Sequence, residues 1–209
     1  MADQGLFIVL EGGEGAGKSS VQRALAAKLQ AEGRDVVLTR EPGGTPLGEK
    51  VRALLLESPL EDPVAELLLF EAARAHLVSR VIRPALERGA TVICDRFAAS
   101  SVAYQGFGRE LGREIVEVAN EVATRALVPD LTILLDVPAS EGLARRAGQG
   151  ARNRFDREAV AFHERVRAGF LEMAEEAPEA WRVIDASKPL VEVVRACVGA
   201  IEEAFAALR

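Results

Sequence analysis

Residues 12–19, GGEGAGKS, fit the spacing G-x-x-x-x-G-K-[ST] in full. Glycines let such a loop turn so that several backbone N–H groups converge, and a helix starting at its end adds its positive pole. That arrangement suits the phosphates of a nucleoside triphosphate. Lys18 is placed to reach the β- and γ-phosphates, and the Ser19 hydroxyl to hold Mg²⁺. The run Gly12, Gly13, Glu14, Gly15, Ala16, Gly17, Lys18, Ser19 and Ser20 is therefore the expected ATP-binding segment. Its odd member is Glu14, a negative charge where phosphates are to be held. The duller alternative is a glycine-rich turn that happens to contain Lys-Ser, and the apolar strand before it and helix after it weigh against that.

Three clusters offer chemistry of a second kind. TREPGGT (39–45) delivers Arg40; DRFAASSVAYQGFG (95–108) delivers Asp95, Arg96, Ser101, Tyr104 and Gln105; Phe70 and Arg74 stand four apart, on one helix face. Arginine forks suit phosphate and an aromatic ring suits a stacked base, so the set fits a nucleoside monophosphate. Taken singly, each has a plainer reading. Phe70 and Tyr104 could be packing residues, Arg74 could pair with Glu71, Arg40 could end a strand in solvent, and Asp95 could cap a turn rather than help bind metal. Convergence at one end of one sheet favours the joint reading. Residues 145–157 add Arg145, Arg146, Arg152, Arg154 and Arg157 against the single acid Asp156. With Gly148 and Gly150 to permit closure, a mobile Arg-rich lid is expected at about 142–157, in preference to a solvated basic loop.

The elements that must position these groups follow from apolar patterning. Short apolar runs at 6–11, 35–40, 90–96, 131–137 and 181–186 read as strands. Helices are expected from Gly17 to Gly33, after the Thr45-Pro46 cap, from Asp62-Pro63 onward with a bend at Pro84, over 112–127, over about 157–177, and after a cap at Ser187. Strands alternate with helices and are apolar throughout, which predicts an α/β fold: a five-stranded parallel sheet with helices on both faces, in one domain over 1–209. The loops in question then meet beyond the carboxyl ends of the strands.

Composition narrows the partners. The chain has 209 residues and a net charge of −6, which argues against a nucleic-acid binder. No apolar run is long enough to span a bilayer, and the opening MADQG lacks the basic start and apolar core of a signal peptide. Cys94 and Cys197 have no framework spacing and read as buried free thiols in a reducing cytoplasm. A GTPase switch is excluded, because Asp95 is followed by Arg96, Phe97 and Ala98 rather than by a D-x-x-G glycine, and no N-K-x-D occurs. A regulatory ATPase with the same loop, or a kinase for another nucleotide, stays open at this point.

The stretches FIVLEGGEGAGKSS, TREPGGTPLGEKVRALLL, DRFAASSVAYQGFGR, PDLTILLDVP and GLARR…NRFD together resemble bacterial thymidylate kinase, a P-loop nucleoside monophosphate kinase family, over nearly the whole chain. The resemblance implies transfer of a phosphoryl group from ATP to dTMP, with Mg²⁺, in a cytoplasmic homodimer. It implies that Phe70 stacks on thymine, Arg74 bonds a thymine carbonyl, and Ser101, where the family often has Thr or Asn, lies near the ring-nitrogen edge. Arg40 and Arg96 would hold the acceptor phosphate, Tyr104 would pack where a 2′-hydroxyl would project, and Gln105 would support the sugar-side wall. Glu14 would accept a hydrogen bond from the acceptor's 3′-hydroxyl. Ser19 and Asp95 would serve the metal. Lys18, Arg96 and the lid residues Arg145 and Arg154 would be catalytic, with Arg146 and Arg152 as secondary candidates. In this pattern the loop carries no arginine because the lid supplies the cations.

Overall fold

Five strands, β1 (Phe7–Glu11), β2 (Val36–Arg40), β3 (Thr91–Asp95), β4 (Leu131–Asp136) and β5 (Trp181–Asp185), pair in parallel in the order β2-β3-β1-β4-β5. The computed structural model describes residues 5–58, 60–148 and 153–207. The helices are α1 (Lys18–Ala31), α2 (Pro46–Glu57), α3 (Pro63–Leu77), α4 (Arg83–Glu87), α5 (Ala98–Ser101), α6 (Arg113–Thr124), α7 (Ala139–Ala147), α8 (Val160–Glu176) and α9 (Leu190–Ala207). Among the described residues, no helix is long and apolar enough to cross a membrane.

Side chains alternate across each strand, and in the central strands β1, β3 and β4 both faces are covered. Ile8, Leu10, Ile93 and Ile133 face Val21, Leu25 and Leu29 of α1 and Val193, Cys197 and Ile201 of α9. Phe7, Val9, Val92 and Cys94 face the opposite way, against Leu77, Val78, Ile82 and Phe97. Leu134 meets Phe162, Val166 and Phe170 of α8 on that same side. Both cysteines are buried free thiols.

The crossover from β1 leads to β2 at one edge, while the chain leaving β3 returns past β1 to β4 on the other side. Adjacent strands β1 and β3 thus send their carboxyl-end loops apart and open a crevice between them. Leu10 and Asp95 are register partners at its lip.

Local signals explain most boundaries. Thr45 Oγ1 accepts from the Gly48 N–H, and Asp62 Oδ1 accepts from the Val64 and Ala65 N–H groups, with proline next in both cases. The bend expected at Pro84 is a wide π turn over Val78–Ile82, placed one turn before a proline that lacks an N–H and crowds the carbonyl four residues back. One expectation needs correction, and two segments given no element from sequence are helical. Ser187 is not the cap of α9: its hydroxyl donates to Asp185 Oδ1, and the carbonyl of Pro189 accepts from Glu192 and Val193 instead. The cluster after β3 is helical, α5 running on as a second π segment over Val102–Gly108. The first part of the expected lid is also helical, as α7. Both are short and rich in small or polar residues, so they show little apolar periodicity.

Candidate active site

The phosphate loop leaves β1 into the crevice. At Gly12 φ is +140°, and a Cβ there would meet the Leu135 carbonyl oxygen at 2.5 Å; at Gly15 φ is +69°, and a Cβ would lie 2.0 Å from the carbonyl oxygen of Gly142 in α7. Only glycine fits either place. Lys18 Nζ donates to the carbonyls of Gly12 and Gly13, both at 2.9 Å. Burial, with the Arg96 charge behind it, pushes the Lys18 ammonium down to about 8. Ser19 Oγ donates to Asp95 Oδ2 at 2.9 Å, joining the end of the loop to the end of β3. Around these groups opens a cavity of about 300 Å³, lined also by Arg40, Arg52, Arg96, Arg146 and Asn153.

Beyond it lies a narrower pocket of about 100 Å³ with a different character. Phe70 of α3 lines one side, its ring centroid 6.1 Å from that of Phe155, and Tyr104 meets Phe155 edge-on at 5.8 Å. Ser101 and Gln105 line it from α5 and the π segment that follows. The Ser101 hydroxyl donates to Glu71 Oε1 and accepts from Arg74 Nη1, each at 3.0 Å, while Gln105 Nε2 donates to Glu66 Oε1 at 2.7 Å.

Glu14 belongs to both spaces, as do Glu41, Arg52, Arg96 and Asn153. Glu14 Oε1 accepts from Arg96 Nη2 and from the Tyr104 hydroxyl, both at 2.9 Å, and Arg96 Nη2 also reaches that hydroxyl at 2.9 Å. Burial pushes the Glu14 carboxyl up, but Arg96, Lys18 and the Tyr104 hydrogen bond outweigh it and hold the group below its ordinary value. Burial likewise pulls the Arg96 guanidinium down, and Tyr104, Glu14 and Asp95 more than restore it. Arg96 sits at φ +72°, strained for a non-glycine residue. Its N–H donates to the Leu10 carbonyl, and the buried Glu11 carboxylate accepts from the Phe97 and Ser100 N–H groups, which fixes the turn.

The structure thus gathers Lys18, Ser19, Arg40, Asp95 and Arg96 around one cavity and Glu14, Phe70, Arg96, Ser101, Tyr104 and Gln105 around the other. It does not bring every expected residue to a cavity wall. Arg74 is 1% exposed and lies behind the pocket, ion-paired with Glu71 and with Glu41 at 2.7 Å and bonded to Asn120 and the Phe97 carbonyl. It braces Ser101 from behind. Arg40 does line the phosphate cavity, but it is half exposed and paired with Glu49 at 3.0 Å. Arg145 donates to the carbonyls of Ala186 and Ser187 and pairs with Glu141. Arg154 donates to the carbonyls of Leu55 and Leu60 and pairs with Glu66 at 2.6 Å. Among the described residues, the lid arginine on the cavity wall is Arg146, whose Nε donates to Asp156 at 3.2 Å. Gly150 and Arg152 lie outside the described residues.

Sequence reasoning gave no role to Arg52, Glu41, Asn153 or Phe155. Arg52 donates to the Pro42 carbonyl and lines both cavities. It shares one face of α2 with Leu56, which also lines the pocket, but spacing alone does not show that this face turns inward. Asn153 and Phe155 flank Arg154 in NRFD, where the arginine drew attention away from its neighbours.

The family model described as thymidylate kinase matches residues 10–197. A thymidylate kinase of Thermosynechococcus vestitus is 49% identical, over 97% of this chain and 88% of its own length. One from Pseudomonas entomophila is 51% identical, over 92% of each chain. A crystal structure of thymidylate kinase from Ehrlichia chaffeensis superposes with a TM-score of 0.77 at 33% identity, covering 94% of this chain and 98% of that one.

Proposed function

We propose that this chain, which belongs to the thymidylate kinase family, transfers the γ-phosphoryl group of ATP to dTMP, giving dTDP and ADP. The observation that carries this reading is the pair of adjoining cavities, one built on the phosphate loop and one on an aromatic pocket, sharing Glu14 and Arg96. A phosphate on each side of that shared boundary stands in line for transfer.

In the reaction a non-bridging oxygen of the dTMP phosphate bonds to the γ-phosphorus. The bond from that phosphorus to the β–γ bridging oxygen breaks, and ADP keeps the electron pair. The attacking oxygen is already anionic near neutral pH, so no general base is required. The protein's work is to align the phosphates and neutralise spreading charge. Loop N–H groups and Lys18 hold the donor phosphates. Arg40, Arg52 and Arg96 hold the acceptor phosphate, and Arg146 faces the transferred group. Arg145 and Arg154, held by carbonyls and carboxylates, act as tethers of the lid. Phe70 stacks on thymine, with Ser101 and Gln105 at its edge and Arg74 supporting them. Glu14 takes the 3′-hydroxyl, and Tyr104 fills the space a 2′-hydroxyl would need.

Mg²⁺ fits the Ser19 hydroxyl and the Asp95 carboxylate, two hard oxygen donors already bonded to each other beside the phosphate cavity. When bound it supplies charge neutralisation on the phosphates. A homodimer is part of the same proposal: the neighbouring helices α3 and α6 leave Leu68, Ile115, Val118 and Val122 between 52% and 76% exposed. A cytoplasmic setting is supported by the two cysteines that remain free thiols.

The test is product identification with ATP, Mg²⁺ and a panel of dTMP, dCMP, dGMP and GMP. The expected result is dTDP and ADP in equal amounts, with the other acceptors turned over poorly. Equal turnover of GMP, or phosphate release indifferent to any monophosphate, would overturn it.

A further inference from the structure

Glu66 lies in the first turn of α3 and is 1% exposed. Its carboxylate is shared by groups from separate segments. Oε1 accepts from Gln105 Nε2 at 2.7 Å, on the acceptor wall. Arg109, just beyond the same π segment, approaches the two oxygens at 3.3 and 3.4 Å. Arg154 Nη2, on the lid turn, lies 2.6 Å from Oε2. Arg109 has a second carboxylate, Glu158, at 2.7 Å, so Glu66 is not needed merely to neutralise it. Glu66 itself lines neither cavity.

Two consequences follow from chemistry. A carboxylate only accepts, so Gln105 must turn its NH₂ toward Glu66, and its Oε1 is the end left for the pocket. An acceptor there matches a base with a ring N–H, as thymine has at N3; cytosine offers an acceptor at that position. Arg154, in turn, holds the residue next to it. Phe155 packs against Phe70 and Tyr104 as part of the pocket wall.

We infer that Glu66 is a positioning residue for base selection: through Gln105 it fixes which end of the amide meets the base, and through Arg154 it holds Phe155 in the wall. This rests on the dTMP kinase reading above. The two arms make different predictions, which a general loss of packing would not.

The test measures kcat/KM for dTMP and dCMP, and the KM of ATP, in the unaltered protein, Glu66→Gln, Gln105→Leu and Arg154→Gln. In Glu66→Gln the amide at 105 can turn either way, so preference for dTMP over dCMP falls about tenfold while the ATP KM stays within about twofold. Gln105→Leu loses the preference to a similar degree. Arg154→Gln raises the dTMP KM about fivefold but keeps the preference, because the bond between Glu66 and Gln105 is intact. Preference unchanged in Glu66→Gln, or dTMP and ATP parameters declining together with preference intact, overturns the inference. Should Glu66→Gln fail to fold by circular dichroism, the remaining pair decides: Gln105→Leu must lose the preference and Arg154→Gln must keep it. An unaltered protein that makes no dTDP fails the parent reading; one that makes dTDP but shows no such split fails only this inference.

Discussion

The acceptor pocket and the phosphate cavity differ in how their polar groups are held. On the acceptor side Glu14, Arg96 and Tyr104 bond one another, and Ser101 and Gln105 are each fixed by a buried carboxylate. On the phosphate side Lys18 is held by two carbonyls of its own loop, Arg40 pairs half exposed with Glu49, and Arg145 and Arg154 are engaged away from the cavity. A network whose members hold each other resists rearrangement, whereas a cation on a carbonyl is easily claimed by a phosphate. On the proposed function, the acceptor side is built for recognition and the phosphate side for charge that swings into place. The rule extends to Glu14, which sits in the phosphate loop yet is bonded as an acceptor-side residue.

The sharpest way to break this contrast is Lys18→Met. It should lower kcat about a thousandfold while leaving dTMP affinity within about twofold, measured by steady-state kinetics and calorimetry. An equal loss in dTMP binding would mean the two sides are not separate. Next, Arg146→Ala should lower kcat about a hundredfold and Arg145→Ala far less, since only Arg146 of the two lines the cavity. Glu14→Ala should lower kcat/KM for dTMP roughly thirtyfold with the ATP KM little changed, because its hydrogen bonds run to Arg96 and Tyr104 on the acceptor side. The smallest effect is on pH. With the Lys18 ammonium at about 8, ATP binding should weaken about threefold from pH 7.5 to 8.5 while dTMP binding stays flat. The same depressed value costs folding stability below pH 8, where the unfolded lysine holds its proton more readily. That cost is relieved as pH rises from about 8 toward the ordinary lysine value of 10.5, a rise that Lys18→Met should abolish in chemical denaturation.

The contrast also explains what was legible in the sequence. The phosphate loop is contiguous, and its glycines and Lys18 are dictated by backbone geometry and charge, so spacing alone exposed it. The central strands were visible as apolar runs because both of their faces are covered. The acceptor pocket is assembled from α2, α3, the helical stretch after β3 and the turn after α7, and no local pattern records which of their residues face inward. Arg52 and Phe155 were missed for that reason. The partners of the lid arginines were not legible either. The number of these arginines advertises a positive lid, but in the fold Arg154 donates to a carbonyl of α2 about a hundred residues away in the chain, and Arg145 to one just past β5, about forty away. Arg74 shows the same effect: the plain pairing with Glu71 is real, and its bond to Ser101 arises only from the fold.

The most direct test is calorimetric titration of the protein with dTMP alone, repeated with a non-hydrolysable ATP analogue and Mg²⁺ present. A pocket held by its own network should bind dTMP saturably without the analogue, with affinity changed less than about fivefold by adding it. Binding of dTMP that appears only once the analogue and Mg²⁺ are in place would contradict the account.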